Sequence, residues 1–91
     1  MDDERREIHF VGRVQGVGFR YTTNRIATGF AVTGWVKNLP NGEVKLVVEG
    51  SSTEIDAFLR EIQATMSDNI VETRCSLGIA EGRFERFRIA H

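Results

Sequence analysis

The sequence predicts an α+β fold: a ferredoxin-like two-layer sandwich in the order βαββαβ, with a short extra C-terminal strand. Three observations carry this expectation. Two stretches place apolar residues at helical spacing, alternating stretches separate them, and an Asn41-Gly42 pair joins two of the alternating stretches directly. Right-handed crossovers in both βαβ halves put the two helices on one face of a single, mainly antiparallel sheet. At 91 residues the chain fits one domain, 1–91, with no room for a second.

Each element follows from its own pattern. Ile8, Phe10, Gly12 and Val14 share one parity against His9 and Arg13, which marks a first strand. Phe19, Thr22, Thr23, Ile26, Ala27 and Phe30 recur at helical spacing, and Gly29 and Gly34 punctuate the end of that helix. "GWVKNLPNGEV" reads as strand, turn at Pro40-Asn41-Gly42, strand. Val44, Leu46 and Val48 then alternate with Glu43, Lys45 and Glu49. "GSSTEIDAFLREIQATM" opens with capping residues, and its Ile55, Phe58, Leu59, Ile62 and Met66 form a core-facing stripe. Val71, Thr73, Cys75 and Leu77 alternate in a further strand, and Phe87 and Ile89 point inward from the last one.

Composition narrows the function. Net charge is −1, with 41% hydrophobic and 27% charged residues, which suits a globular protein and argues against a nucleic-acid binder. The basic pairs Arg5–Arg6 and Arg86/Arg88 sit among acidic neighbours and read as solvated surface. The single cysteine, Cys75, allows no intrachain disulfide, which fits a reducing, cytoplasmic compartment; its alternation predicts a small buried residue. "MDDERRE" has no apolar run behind it, so no signal peptide is expected, and no stretch is long and apolar enough to span a membrane. His9 and His91 lie at opposite ends of the sequence and read as surface or strand histidines. No Cys, His or carboxylate cluster has metal-ligand spacing, so neither metal nor cofactor is expected.

The stretch that carries chemistry is "RVQGVGFR". Gln15, Gly16, Val17, Gly18 and Phe19 join a strand to a helix, where glycines allow successive amides to converge on one point. The helix start adds unpaired N–H groups and positive dipole character. Arg20 follows with a planar fork of donors matched to phosphate oxygens. Neither better-known phosphate loop fits: Phe19-Arg20 stands where a Walker loop needs lysine and a hydroxyl residue, and Tyr21 where a dinucleotide loop wants glycine. The loop reads as a cradle for one phosphoryl group.

"GRVQGVGFR" (Gly12–Arg20), "GWVKN" (Gly34–Asn38) and "NGEV", in this order and spacing, resemble the acylphosphatase family. The resemblance in element order covers the whole chain. It implies a small cytosolic hydrolase that cleaves the carboxyl–phosphate anhydride bond of small acyl phosphates, without metal or cofactor. It also implies that Arg20 binds the phosphoryl group, that Asn38 positions the attacking water, and that the amides from Gln15 to Arg20 complete the cradle. Two departures stand out. The family usually ends its first helix on glycine where this chain has Ala31, so either the cap shifts or Ala31 adopts a left-handed conformation at about 1–2 kcal/mol. "TMSDNIVE" also replaces a Gly-Pro turn common after the second helix.

The residue types agree with that chemistry. An acyl phosphate expels a carboxylate, which is stable without protonation, so the site needs no general acid and can work by positioning and electrostatics. Inorganic phosphate is the second product, and the chain is expected to act as a monomer. The alternative is a non-catalytic, phosphate-binding regulatory domain of the same fold. An RNA-binding reading is disfavoured because "EVKLVVE" offers no aromatic platform. A carbamoyl-phosphate-delivering domain of a larger maturation enzyme is disfavoured by the short chain.

Overall fold

A computed structural model describes residues 3–91. Its elements are β1 (Glu4–Gly12), α1 (Phe19–Ala27), β2 (Val32–Asn38), β3 (Val44–Gly50), α2 (Ser52–Thr65), β4 (Ile70–Ile79) and β5 (Phe87–Ile89). The strands form one sheet ordered β4-β1-β3-β2-β5. All neighbours are antiparallel except β5, which runs parallel to β2 and makes the sheet mixed. This is the predicted ferredoxin-like order.

Ile8 and Phe10 of β1, Val36 of β2, and Leu46 and Val48 of β3 are buried on the helix side of the sheet, against Phe19 and Ala27 of α1 and Ile55, Phe58 and Ile62 of α2. Phe10 and Phe19 meet with ring centroids 5.0 Å apart, and Phe58 takes Phe87 edge-on at 5.5 Å. The β2–β3 hairpin closes as its sequence predicts: Leu39 N–H donates to Glu43 O at 2.8 Å, and Asn41 Oδ1 accepts from Glu43 N–H at 3.0 Å.

The end of α1 resolves the question raised at Ala31. No non-glycine residue has positive φ among the described residues, so Ala31 bears no left-handed strain. The helix instead tightens through short bonds from Thr28, Gly29 and Phe30 N–H to the carbonyls three residues back. Ala31 N–H then donates to Glu54 Oε1 at 2.7 Å. Glu54 sits in the first turn of α2, where its own N–H is capped by Ser51 Oγ at 3.2 Å.

Two expectations fail. Cys75 is exposed, because β4 is an edge strand: its helix-side residues share a face with Ile8 and Phe10, yet α2 lies over the inner strands. Gln63 of α2 reaches it by a hydrogen bond from Nε2 to Thr73 Oγ1 at 2.6 Å, and at the near end of the strand Ile70 packs against the core. Arg5 and Arg6 are not solvated surface either. Arg6 lies on the helix side and donates to Asp56 Oδ1 at 2.6 Å and Glu4 Oε1 at 2.8 Å. Arg5, on the opposite face, donates to Glu49 Oε2 at 3.3 Å.

Glu49 is only 3% exposed. Its carboxylate also accepts from the amides of Glu81 and Gly82, at 2.9 and 3.1 Å, in the segment that leads from β4 to β5 at the far edge. Burial pushes this carboxyl up, but the two amides and Arg5 outweigh it, and the group sits below its ordinary value. At the hairpin, the Arg74 guanidinium, bonded to both oxygens of Glu43 at 3.0 Å, holds that carboxyl low as well, against an opposing push from burial.

Candidate active site

The topology brings three strand ends together. β1 and β2 both run antiparallel to β3, and β5 runs parallel to β2, so the residues that follow β1, β2 and β5 emerge at the same end of the sheet. The loop after β1 is pinned at its root. Arg13 N–H donates to Asn69 O at 2.9 Å, and Asn69 Nδ2 donates back to Arg13 O at 3.0 Å. The "TMSDNIVE" turn thus supplies the loop's anchor.

Gly16 and Gly18 have φ of 76° and 78°. A Cβ at either would meet nothing within 4 Å, so what requires glycine is the left-handed backbone and not space. Gly18 caps α1 without a side chain. Among the described residues, the amides of Gln15 to Arg20 donate to no other backbone group. They are free donors at the positive end of a helix, a ready anion site.

Gly16, Gly18, Phe19, Arg20 and Asn38 line a cleft of about 210 Å³, together with Tyr21, Ile89 and His91. No Asp or Glu side chain is among its lining residues. Arg20 reaches in from the first turn of α1, with Nη1 donating to Ala90 O at 3.3 Å and lying 3.4 Å from His91 Nδ1. Asn38 ends β2, and its Oδ1 is buried without a hydrogen-bond partner.

Of the sequence-predicted residues, Gln15 and Val17 belong to the loop but not to the lining. Val17 is exposed at the tip. Gln15 turns away: its Nε2 donates to Leu39 O at 2.7 Å and Glu43 O at 2.9 Å, tying the loop to the hairpin behind Asn38. Sequence reasoning missed that side-chain role, and of the lining residues it missed Val14, Tyr21, Ile89 and His91. Tyr21 was signalled by its place beside Arg20 on the helix. His91 was signalled only by a last strand parallel to β2. Among the described residues, no three His, Cys, Asp or Glu side chains gather as a metal site.

A family model described as acylphosphatase matches residues 6–89. The chain belongs to the acylphosphatase family. The acylphosphatase of Syntrophus aciditrophicus (strain SB) is 41% identical over 92 residues, covering 97% of this chain and 93% of that protein. The crystal structure of acylphosphatase from Bacillus subtilis superposes with a TM-score of 0.86 at 27% identity, over 97% of this chain and 99% of that one. HypF of T. kodakarensis gives 0.83 at 30% identity, over 97% of this chain but only 12% of HypF. As a member of this family the chain is an acyl phosphate hydrolase, and the non-catalytic phosphate-binding reading is not favoured. No helix among the described residues is long and apolar enough to cross a membrane.

Proposed function

We propose that Arg20 and the loop amides hold the phosphoryl group of a small acyl phosphate while Asn38 directs water at phosphorus in line with the departing carboxylate. The observation that carries this reading is that Arg20 and Asn38, from α1 and β2, line one cleft with Gly16 and Gly18 of the loop whose amides donate to no other backbone group. Oδ1 accepts a hydrogen bond from the water and so aims a lone pair at phosphorus. The guanidinium fork and the amides meet the phosphoryl oxygens, where charge shifts as the bond breaks. Water adds to phosphorus, the P–O bond to the acyl oxygen breaks, and the carboxylate leaves unprotonated as inorganic phosphate forms. No metal takes part in this scheme.

All these groups come from one chain, so the catalytic unit is the monomer. A cytoplasmic location is supported by the one free, exposed thiol at Cys75.

The division of labour is testable by steady-state kinetics with phosphate as product inhibitor. Arg20→Ala should lose on the order of 10³-fold in kcat/KM and bind phosphate more weakly. Asn38→Ala should lose kcat severely and keep phosphate inhibition nearly intact. Loss of phosphate inhibition in Asn38→Ala with turnover retained would reverse the roles, and equal turnover of an alkyl phosphate ester would contradict the leaving-group logic.

A further inference from the structure

The loop and the hairpin that build the cleft do not grow from neighbouring strands. β3 stands between β1 and β2, so no strand pairing sets the distance from the loop after β1 to the end of β2. The side chain of Gln15 bridges that gap. Its Nε2 donates to Leu39 O at 2.7 Å and to Glu43 O at 2.9 Å, one N–H for each carbonyl. Both partners are acceptors, which only the NH2 end of the amide can meet. Among the described residues, no other hydrogen bond joins residues 15–18 to the hairpin. Neither carbonyl depends on Gln15 for a partner. Leu39 O also accepts from Gly42 N–H at 3.1 Å, and Glu43 O from Leu39 N–H at 2.8 Å. The turn therefore closes without the side chain, and what the side chain adds is the link.

We infer that Gln15 is a positioning residue for the attacking water: its side chain fixes Asn38 at the distance from the phosphoryl cradle that in-line attack needs. The inference rests on the role proposed above for Asn38. Leu39 follows Asn38 directly, and Glu43 precedes Val44, the residue paired with Asn38 across the hairpin. The two carbonyls that Gln15 holds thus flank Asn38, one along the chain and one on the facing strand. Gln15 also begins the run of amides that forms the cradle, so it serves the phosphate side by its backbone and the water side by its side chain. A misplacement of about 1 Å between reacting groups costs on the order of 10²-fold in rate, and this bridge guards against it. Its removal should leave the hold on phosphate intact. Arg20 stands on α1 and bonds to Ala90 O, and the root of the loop is pinned through Arg13 and Asn69.

Gln15→Met keeps the length of the side chain and removes both donors. Assayed with acetyl phosphate, it should lose about 10- to 100-fold in kcat. Inhibition by inorganic phosphate should stay within about twofold of the parent, and the helical signal in circular dichroism should be unchanged. The deciding measurement is the double variant. If Gln15 acts through Asn38, then Gln15→Met added to Asn38→Ala should cost less than about twofold more, because residues serving one step are not additive. A double variant in which the two losses multiply overturns the proposal, since Gln15 then acts independently of Asn38. So does a parental kcat in Gln15→Met. Weakened phosphate inhibition or a lost helical signal in that variant also overturns it, by making the side chain a support for the loop or for the fold. A parental kcat in Asn38→Ala is a separate result, which sinks the role of Asn38 and the inference with it.

Discussion

β3 and β4 are written in the same alternating pattern and end in opposite environments. Along β3 the residues from Leu46 to Gly50 are all buried; along β4 those from Val71 to Ile79 are all exposed. The difference lies in the neighbours. β3 has β1 and β2 on its sides, α2 packed against it and the Glu81–Gly82 backbone bonded to Glu49 on the other face. β4 has β1 alone, and Gln63 is the single α2 side chain that bonds to it. Alternation encodes an extended backbone, whereas the amount of burial is decided by position in the sheet.

The most direct way to break this contrast is to truncate equivalent residues. Leu46→Ala, at a fully buried site, should cost about 2–5 kcal/mol, read from chemical denaturation. A loss below 1 kcal/mol would mean that the centre of the sheet is not tightly packed. Glu49→Gln comes next, at about 1–3 kcal/mol at neutral pH, since a charged acceptor of two amides and a guanidinium is lost. The sign of its pH dependence follows from its lowered folded-state value. Its contribution is fully present above the ordinary value near 4.5 and is lost as pH falls through the lower folded value. The gap between the midpoints of the parent and Glu49→Gln should therefore be full at neutral pH and shrink once pH falls below the ordinary value near 4.5, and a gap that stays constant with pH would mean that the ionised form is not what matters. The smallest effect should be Leu77→Ala, within about 0.5 kcal/mol. A cost like that of Leu46 would show β4 to be covered after all.

The same contrast explains what the sequence could convey. Element order, the Asn41-Gly42 turn and the Ser51 cap are local, and local chemistry is legible one residue at a time. The loop from Gln15 to Arg20 was legible because its glycines announce an unusual backbone. Burial of Cys75 was not, because it depends on how far α2 extends across the sheet. Arg5 and Arg6 looked like solvated charges because their partners Glu49 and Asp56 lie 44 and 50 residues away. His91 reached the cleft through the parallel pairing of β5 with β2, which strand count alone does not dictate.

The bond from Arg20 to Ala90 spans 70 residues, and β1 takes both its sheet neighbours from later in the chain. The first strand therefore has nothing to zip onto until the third strand arrives, and the guanidinium has no carbonyl to rest against until the final strand docks. Closing such long loops before their contacts form slows the search for the native state. During refolding, recovery of turnover should accordingly trail the recovery of helical signal. The enzyme's own reaction becomes a clock for its last folding step.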